Sequence, residues 1–162
     1  MRRLLISVGL TLALAGCGNG RLAQANLAAA NTFMTANAKA PGVRALPSGV
    51  QYKIVASGPA GGPRPAPGDE VKVNYEGKLL SGKVFDSSFE RGAPADFPLA
   101  GLIPAWVEAL QQMRPGDEWV LYVPPSMGYG DKAAGPIPPN SVLIFRIQLL
   151  GVLPHPGGTQ LG

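Results

Sequence analysis

The sequence predicts an α+β domain in which an antiparallel sheet packs on one short central helix. Three observations carry that prediction. Apolar and polar residues alternate over several stretches between Val50 and Leu150, the period of a half-buried strand. One segment, from Pro104 to Met113, instead spaces Trp106, Val107, Leu110 and Met113 along a helical face. The connections are rich in Gly and Pro, 22 and 17 of 162 residues, without the three-residue period of collagen, so they read as turns. Strands in series with one embedded helix give an α+β plan.

The elements follow in order. Residues 1–17, MRRLLISVGLTLALAGC, read as an address. Arg2 and Arg3 form a positive start, and Leu4 to Ala15 an apolar core shorter than a membrane span. Small residues then precede Cys17 in Leu14-Ala15-Gly16-Cys17. The segment resembles a bacterial lipoprotein signal, which implies removal of residues 1–16 and acylation of Cys17. Each buried CH₂ of an acyl chain adds about 0.8 kcal/mol of membrane affinity. The resemblance thus implies an exported protein held to a membrane by its N-terminal lipid. Gly18 stands where an inner-membrane retention Asp commonly sits, which favours the periplasmic face of the outer membrane in a two-membrane bacterium. An ordinary secretory signal with an incidental cysteine is the alternative.

Residues 17–46 form a tether or a short helix. They are rich in Ala and Asn, with a thin stripe of Leu22, Leu27, Phe33 and Met34, and Pro41-Gly42 ends them. The main domain spans 47–153. Val50, Tyr52 and Ile54 alternate as a first strand, and a Pro/Gly loop covers Gly58 to Gly68. Alternation resumes from Asp69 to Leu80, turns at Ser81-Gly82, and continues through Val84-Phe85. A short strand is expected at Phe97–Leu99. Pro104 suits the first turn of the helix, and Arg114-Pro115-Gly116 stops it. Glu118–Val123 and Ser141–Leu150 are the last strands. Residues 154–162 are a Pro/Gly-rich tail holding His155.

The composition excludes several chemistries. One Cys and one His leave no internal disulfide, no Cys-rich metal site and no Ser-His-Asp machinery. No phosphate loop is present, and no cofactor is expected. The net charge of +4 includes Arg2 and Arg3; without them 12 basic residues face 10 acidic ones, too weak a balance for a nucleic-acid partner. What remains is an apolar pocket. The run VKVNYEGKLLSGKVFDSS, with Gly128-Tyr129-Gly130 and Ile137-Pro138-Pro139, supplies Tyr, Phe, Asp and branched apolar side chains. Such a pocket acts by shape, desolvation and a few hydrogen bonds.

The matching pieces are VNYEGKLLSGKVFDSS, FPLAGLIPAWVEALQQM, GDEWVLYVPPSMGYG and IPPNSVLIFRIQLLGV. In that order and spacing they resemble the FKBP-type peptidyl-prolyl cis–trans isomerases, over about Pro47 to Leu153. The lead-in ANAKAPGVRALPSGVQYKIV is similar to bacterial members related to the macrophage infectivity potentiators. The resemblance implies a twisted antiparallel sheet wrapped around one short α-helix, and isomerase activity that helps exported proteins fold. It implies catalytic roles for Tyr75, Phe85, Asp86, Tyr129 and Phe145, and substrate binding by Phe97, Leu102, Ile103, Trp106 and Ile137. In that scheme Trp106 floors the pocket, and Tyr129 and the Ile103 N–H donate to substrate carbonyls. The implied partners are proline-containing polypeptides and macrolide-type inhibitors.

Three positions depart from the family pattern: Ala95 replaces an aromatic, Ala100-Gly101 lies in a shortened connection, and Pro136 replaces a second isoleucine. They leave room for a second reading, a lipid-anchored chaperone or binding module for proline-containing segments with little turnover. Without the resemblance, Trp106, Tyr75, Phe85 and Phe145 pass as core, and Asp86 as a turn cap.

Overall fold

The computed structural model describes residues 16–154, with side chains from Gly20 onward. The address segment, the Cys17 side chain and the tail with His155 lie outside the described residues.

The centre of the architecture is β3 (Glu70–Leu79), where Val71, Val73, Tyr75 and Gly77 turn to one face and Lys72, Asn74 and Glu76 to the other. β7 (Leu143–Leu153) pairs with it along its whole length, from Glu70↔Leu153 to Leu79↔Leu143. The opposite edge of β3 is shared. β4 (Val84–Ser87) takes its C-terminal half and β5 (Ala95–Pro98) its N-terminal half. Beyond β7 lie β6 (Glu118–Val123), β2 (Gln51–Ala56) and β1 (Val43–Ala45). Every pairing is antiparallel, so the expected α+β class stands, with the three-residue β1 added.

The inward row of this sheet wraps α3 (Pro104–Leu110), which buries Ala105, Trp106, Ala109 and Leu110. Leu99, Leu110, Met113, Leu121, Leu143, Ile147 and Leu149 are fully buried around it. Each such side chain contributes about 1.5–3 kcal/mol by leaving water. The helix is shorter than its apolar pattern suggests. Gln112 and Met113 donate to Ala109 and Leu110, three residues back, and this tightened turn carries Met113 into the core. Pro115 and the positive φ of Gly116, 94°, forbid further winding.

β2 differs from its expected pattern. The row Val50, Tyr52, Ile54 runs from fully buried to 37% exposed at the sheet margin, while the polar Gln51 between them is buried. The cause is α1 (Gly16–Asn37), 22 residues long, where the sequence suggests a short helix or a tether. Its side chains at 26, 30, 33 and 37 fall on one face, the spacing of a single helical stripe. Ala30 is buried, and Phe33 meets Tyr122 on the outer face of β6 at 6.0 Å. Gln51 donates to the Met34 carbonyl and accepts from Asn37, both at 2.8 Å. No described helix is long and apolar enough to cross a membrane.

Candidate active site

The pocket is a consequence of register. Gly77 on β3 lies opposite Phe145 on β7 and opposite Asp86 on β4. An irregularity in the β3–β4 ladder after Gly77 swings Phe85 over the glycine, where it meets Phe145 edge to face at 5.6 Å and 89°. A side chain at 77 would fill that space. A Cβ there would lie 2.6 Å from Phe85 and 2.7 Å from Phe145.

Trp106 forms the floor. α3 points its indole into the concave side of the sheet, where three rings border it: Tyr75 at 5.2 Å and 85°, Phe145 at 5.3 Å and 85°, and Phe97 at 6.2 Å and 78°. Edge-to-face packing sets the positive ring edges against negative ring faces and is worth about 0.5–1.5 kcal/mol per pair beyond burial. The box is therefore stiff before anything enters it. Nε1 of Trp106 is buried without a hydrogen-bond partner among the described residues.

The cavity over this floor measures about 530 Å³. All ten residues expected to form a pocket line it: Tyr75, Phe85, Asp86, Phe97, Leu102, Ile103, Trp106, Tyr129, Ile137 and Phe145. Gly101, Ala134 and Pro136 complete the lining. Ala95 does not reach it and packs against the core. Pro136 sits at the tip of a two-residue turn whose flanks, Ala134 and Ile137, exchange both hydrogen bonds at 2.9 and 3.0 Å. Gly135 supplies the positive φ, 53°, that such a turn needs at its first position. Pro fits the second because no N–H is used there.

The polar groups divide in two. On one wall the Tyr75 hydroxyl donates to Asp86 at 2.5 Å. Arg91 donates to the other carboxylate oxygen and, at 2.9 Å, to the Tyr75 hydroxyl. Burial pushes the Asp86 carboxyl up, but hydrogen bonds from Tyr75 and Arg91 outweigh it and hold the group below the usual carboxylate range. Burial and the Asp86 hydrogen bond raise the Tyr75 phenol. Tyr75 thus stays a donor and Asp86 an anion at neutral pH. The second set faces the opening. Tyr129 is 45% exposed at the rim. Ile103, just before the Pro104 that opens α3, accepts from the Trp106 N–H through its carbonyl, and its own N–H meets no protein acceptor among the described residues.

Sequence reasoning missed three supporting residues. Arg91 is brought back to Asp86 by the one-turn helix α2 (Ser88–Arg91), capped by the Ser87 side chain and closed by Gly92 at positive φ. Ser88 is fully buried, and its Oγ accepts from the Tyr75 N–H at 2.8 Å. Gly77 carried a readable signal, since glycine inside an alternating strand marks a close approach. Among the described residues no cluster of His, Cys, Asp and Glu could hold a metal ion.

This geometry meets its counterpart in known proteins. The family model described as FKBP-type peptidyl-prolyl cis-trans isomerase matches residues 62–150. The chain belongs to the FKBP family. A second model, the domain amino terminal to FKBP-type isomerases, matches residues 18–54 and so takes in most of α1. The peptidyl-prolyl cis-trans isomerase Mip of Coxiella burnetii is 50% identical over 128 residues, 78% of this chain and 55% of that protein. The outer membrane protein MIP of Legionella longbeachae is 45% identical over 131 residues, 80% of this chain and 55% of that one. The chain spans about half the length of these curated relatives. The crystal structure of FkpA from Escherichia coli superposes with a TM-score of 0.82 at 38% identity, covering 86% of this chain and 65% of that one. The FKBP fold puts this chain's aromatic box where the sheet closes on its single central helix.

Proposed function

We propose that the chain is a peptidyl-prolyl cis–trans isomerase that accelerates the folding of exported proteins. The observation that carries this reading is the preformed aromatic box. Six aromatic side chains and several branched ones line a cavity of about 530 Å³, suited to a pyrrolidine ring and its preceding amide.

The X–Pro bond isomerises over tens to hundreds of seconds because amide resonance imposes a barrier of about 18–20 kcal/mol. The planar amide is strongly polarised and the twisted one much less so, so water holds back the twist. A dry aromatic enclosure removes that preference. In this proposal the Ile103 N–H and the Tyr129 hydroxyl, both lining the cavity, donate to substrate carbonyls and favour the twisted geometry. Asp86 is engaged by Tyr75 and Arg91. Its role in this mechanism is to fix the Tyr75 wall and set the field along it. Each tenfold in rate needs about 1.4 kcal/mol, which a few such contacts supply without covalent chemistry. The same enclosure suits macrolide-type inhibitors.

The anchoring part of the proposal rests on the signal-like residues 1–17 and on the similarity to the outer membrane protein MIP of Legionella longbeachae. Lipid on Cys17 would hold the domain at the periplasmic face of an outer membrane. Metabolic labelling with a fatty acid, lost on Cys17→Ser, checks it.

The activity is tested by the isomerisation rate of a series of X–Pro peptides, with Asp86→Leu and Phe145→Ala as comparisons. Acceleration by the wild type that falls in both variants supports the enzyme. A folded wild type that binds the peptides without accelerating them replaces it with the proline-segment binder.

A further inference from the structure

We infer that α1 braces the rim of the pocket, and that Asn26 and Asn140 are positioning residues for substrate affinity. This rests on the proline-segment pocket proposed above.

The rim loop leaves β6 after Val123 and returns at Leu143, carrying Tyr129, Ala134, Pro136 and Ile137 to the cavity. Asn140 closes it. Its N–H donates to the Gly130 carbonyl at 2.8 Å, closing residues 130–140 of the loop on themselves. Asn140 is also the single non-glycine at positive φ among the described residues, 53°, a conformation that Asn tolerates better than most.

The side chain of that residue leaves the loop altogether. Asn140 Nδ2 donates to the Ala23 carbonyl of α1 at 2.9 Å, and Asn26 Nδ2 of α1 donates to the Pro139 carbonyl at 2.8 Å. Both acceptors are carbonyl oxygens, so only the amide nitrogens can make these bonds, and the pair is reciprocal. Fourteen residues or less further along α1, Ala30, Phe33, Met34 and Asn37 are packed or hydrogen-bonded onto β2 and β6. One end of the helix is thus fixed to the sheet, and the other holds the base of the rim loop. Met127, Ala134 and Ile137 of the loop also pack against the core, the Ala134–Ile137 bridge stiffens the loop internally, and the two asparagine bonds add a polar tie to α1 at its returning side. A loop held in its binding conformation loses less freedom when a ligand arrives, so the brace acts on affinity.

The test compares the full chain with Asn26→Ala and Asn140→Asp. The first adds a strong helix former to an Ala-rich helix, so it folds. The second keeps the residue's tolerance of positive φ and removes the donor. A proline-containing peptide is titrated against tryptophan fluorescence, amide exchange is followed at Ala134 and Ile137, and isomerisation is measured alongside. The expected result is a Kd raised about three- to tenfold, the loss of a preorganised loop. Exchange at Ala134 and Ile137 speeds up while β6 and β7 are unchanged, and kcat falls less than KM rises. Folded variants with wild-type Kd and wild-type loop exchange overturn the inference. If the wild type binds peptide without turnover, the isomerase reading fails, and the Kd and exchange results still decide the brace. If the wild type does not bind peptide, the loop exchange alone decides it.

Discussion

Gly77 and Phe85 stand so close that a methyl group on Gly77 would come within 2.6 Å of the Phe85 ring. The glycine thereby fixes where both phenyl walls, Phe85 and Phe145, stand. Gly77→Ala must displace one ring into the cavity or spread β3 from its neighbours. Overpacking of this kind costs about 1–3 kcal/mol. A lowered urea midpoint with weakened peptide binding is the expected outcome, and wild-type values for both would show that the rings give way freely.

Ser88 supports the same strand from beneath. Its fully buried Oγ takes the Tyr75 N–H and approaches the Tyr75 carbonyl and the Asn74 side chain. Ser88→Ala leaves a buried N–H unpaired, which costs about 1–3 kcal/mol. Chemical denaturation should show that loss, and restoring a hydroxyl acceptor for the Tyr75 N–H with Ser88→Thr should recover part of it.

The Asp86 carboxyl titrates below its ordinary value when folded. A depressed folded pKa contributes stability that is present above the unfolded value, about 3.9, and is lost as pH falls through the folded value. Tyr75 is raised, so its contribution is present below about pH 10 and is lost as pH rises through its folded value. Asp86 and Arg91 are 43% and 50% exposed, so the Asp86 effect is small, as for other solvent-screened pairs. Asp86→Asn should flatten the acid limb of the denaturation midpoint below about pH 4, and peptide binding by the wild type should stay level from about pH 5 to 9. A binding transition inside that window would point to a different titrating group.

Trp106 presents a test of floor against core. Trp106→Phe keeps an aromatic among Tyr75, Phe97 and Phe145 and removes the unpartnered Nε1–H. Deleting a buried, unpaired donor offsets part of the lost packing, so the thermal midpoint should fall little while peptide affinity drops severalfold. A large loss of stability with unchanged affinity would make Trp106 a core residue alone.

Much of this fold was legible because burial was one-sided. β3, β6 and β7 alternate, and their inward rows are apolar. The pocket residues came through resemblance, and the structure gathers all ten around one cavity. What escaped was polar. α1 docks through Asn26, Asn37 and Gln51, side chains that a hydrophobic pattern counts as solvated. Arg91 lies five residues from its carboxylate partner, and only the turn of α2 brings them together. The length of α3 was overread because Met113 keeps the apolar spacing after the hydrogen bonds have tightened.

The pairing of β3 with β7 joins residues 64 to 83 positions apart, from Leu79↔Leu143 to Glu70↔Leu153. Neither strand can bury its inward row until that long loop closes, so the entropy of closure precedes most of the reward. Topologies dominated by such distant contacts fold in milliseconds to seconds. This chain therefore spends a comparatively long interval with β3 and β7 unpaired and open to association with other chains. α1 and β2 dock instead on β6, which pairs with β7, so that half of the sheet does not wait for β3.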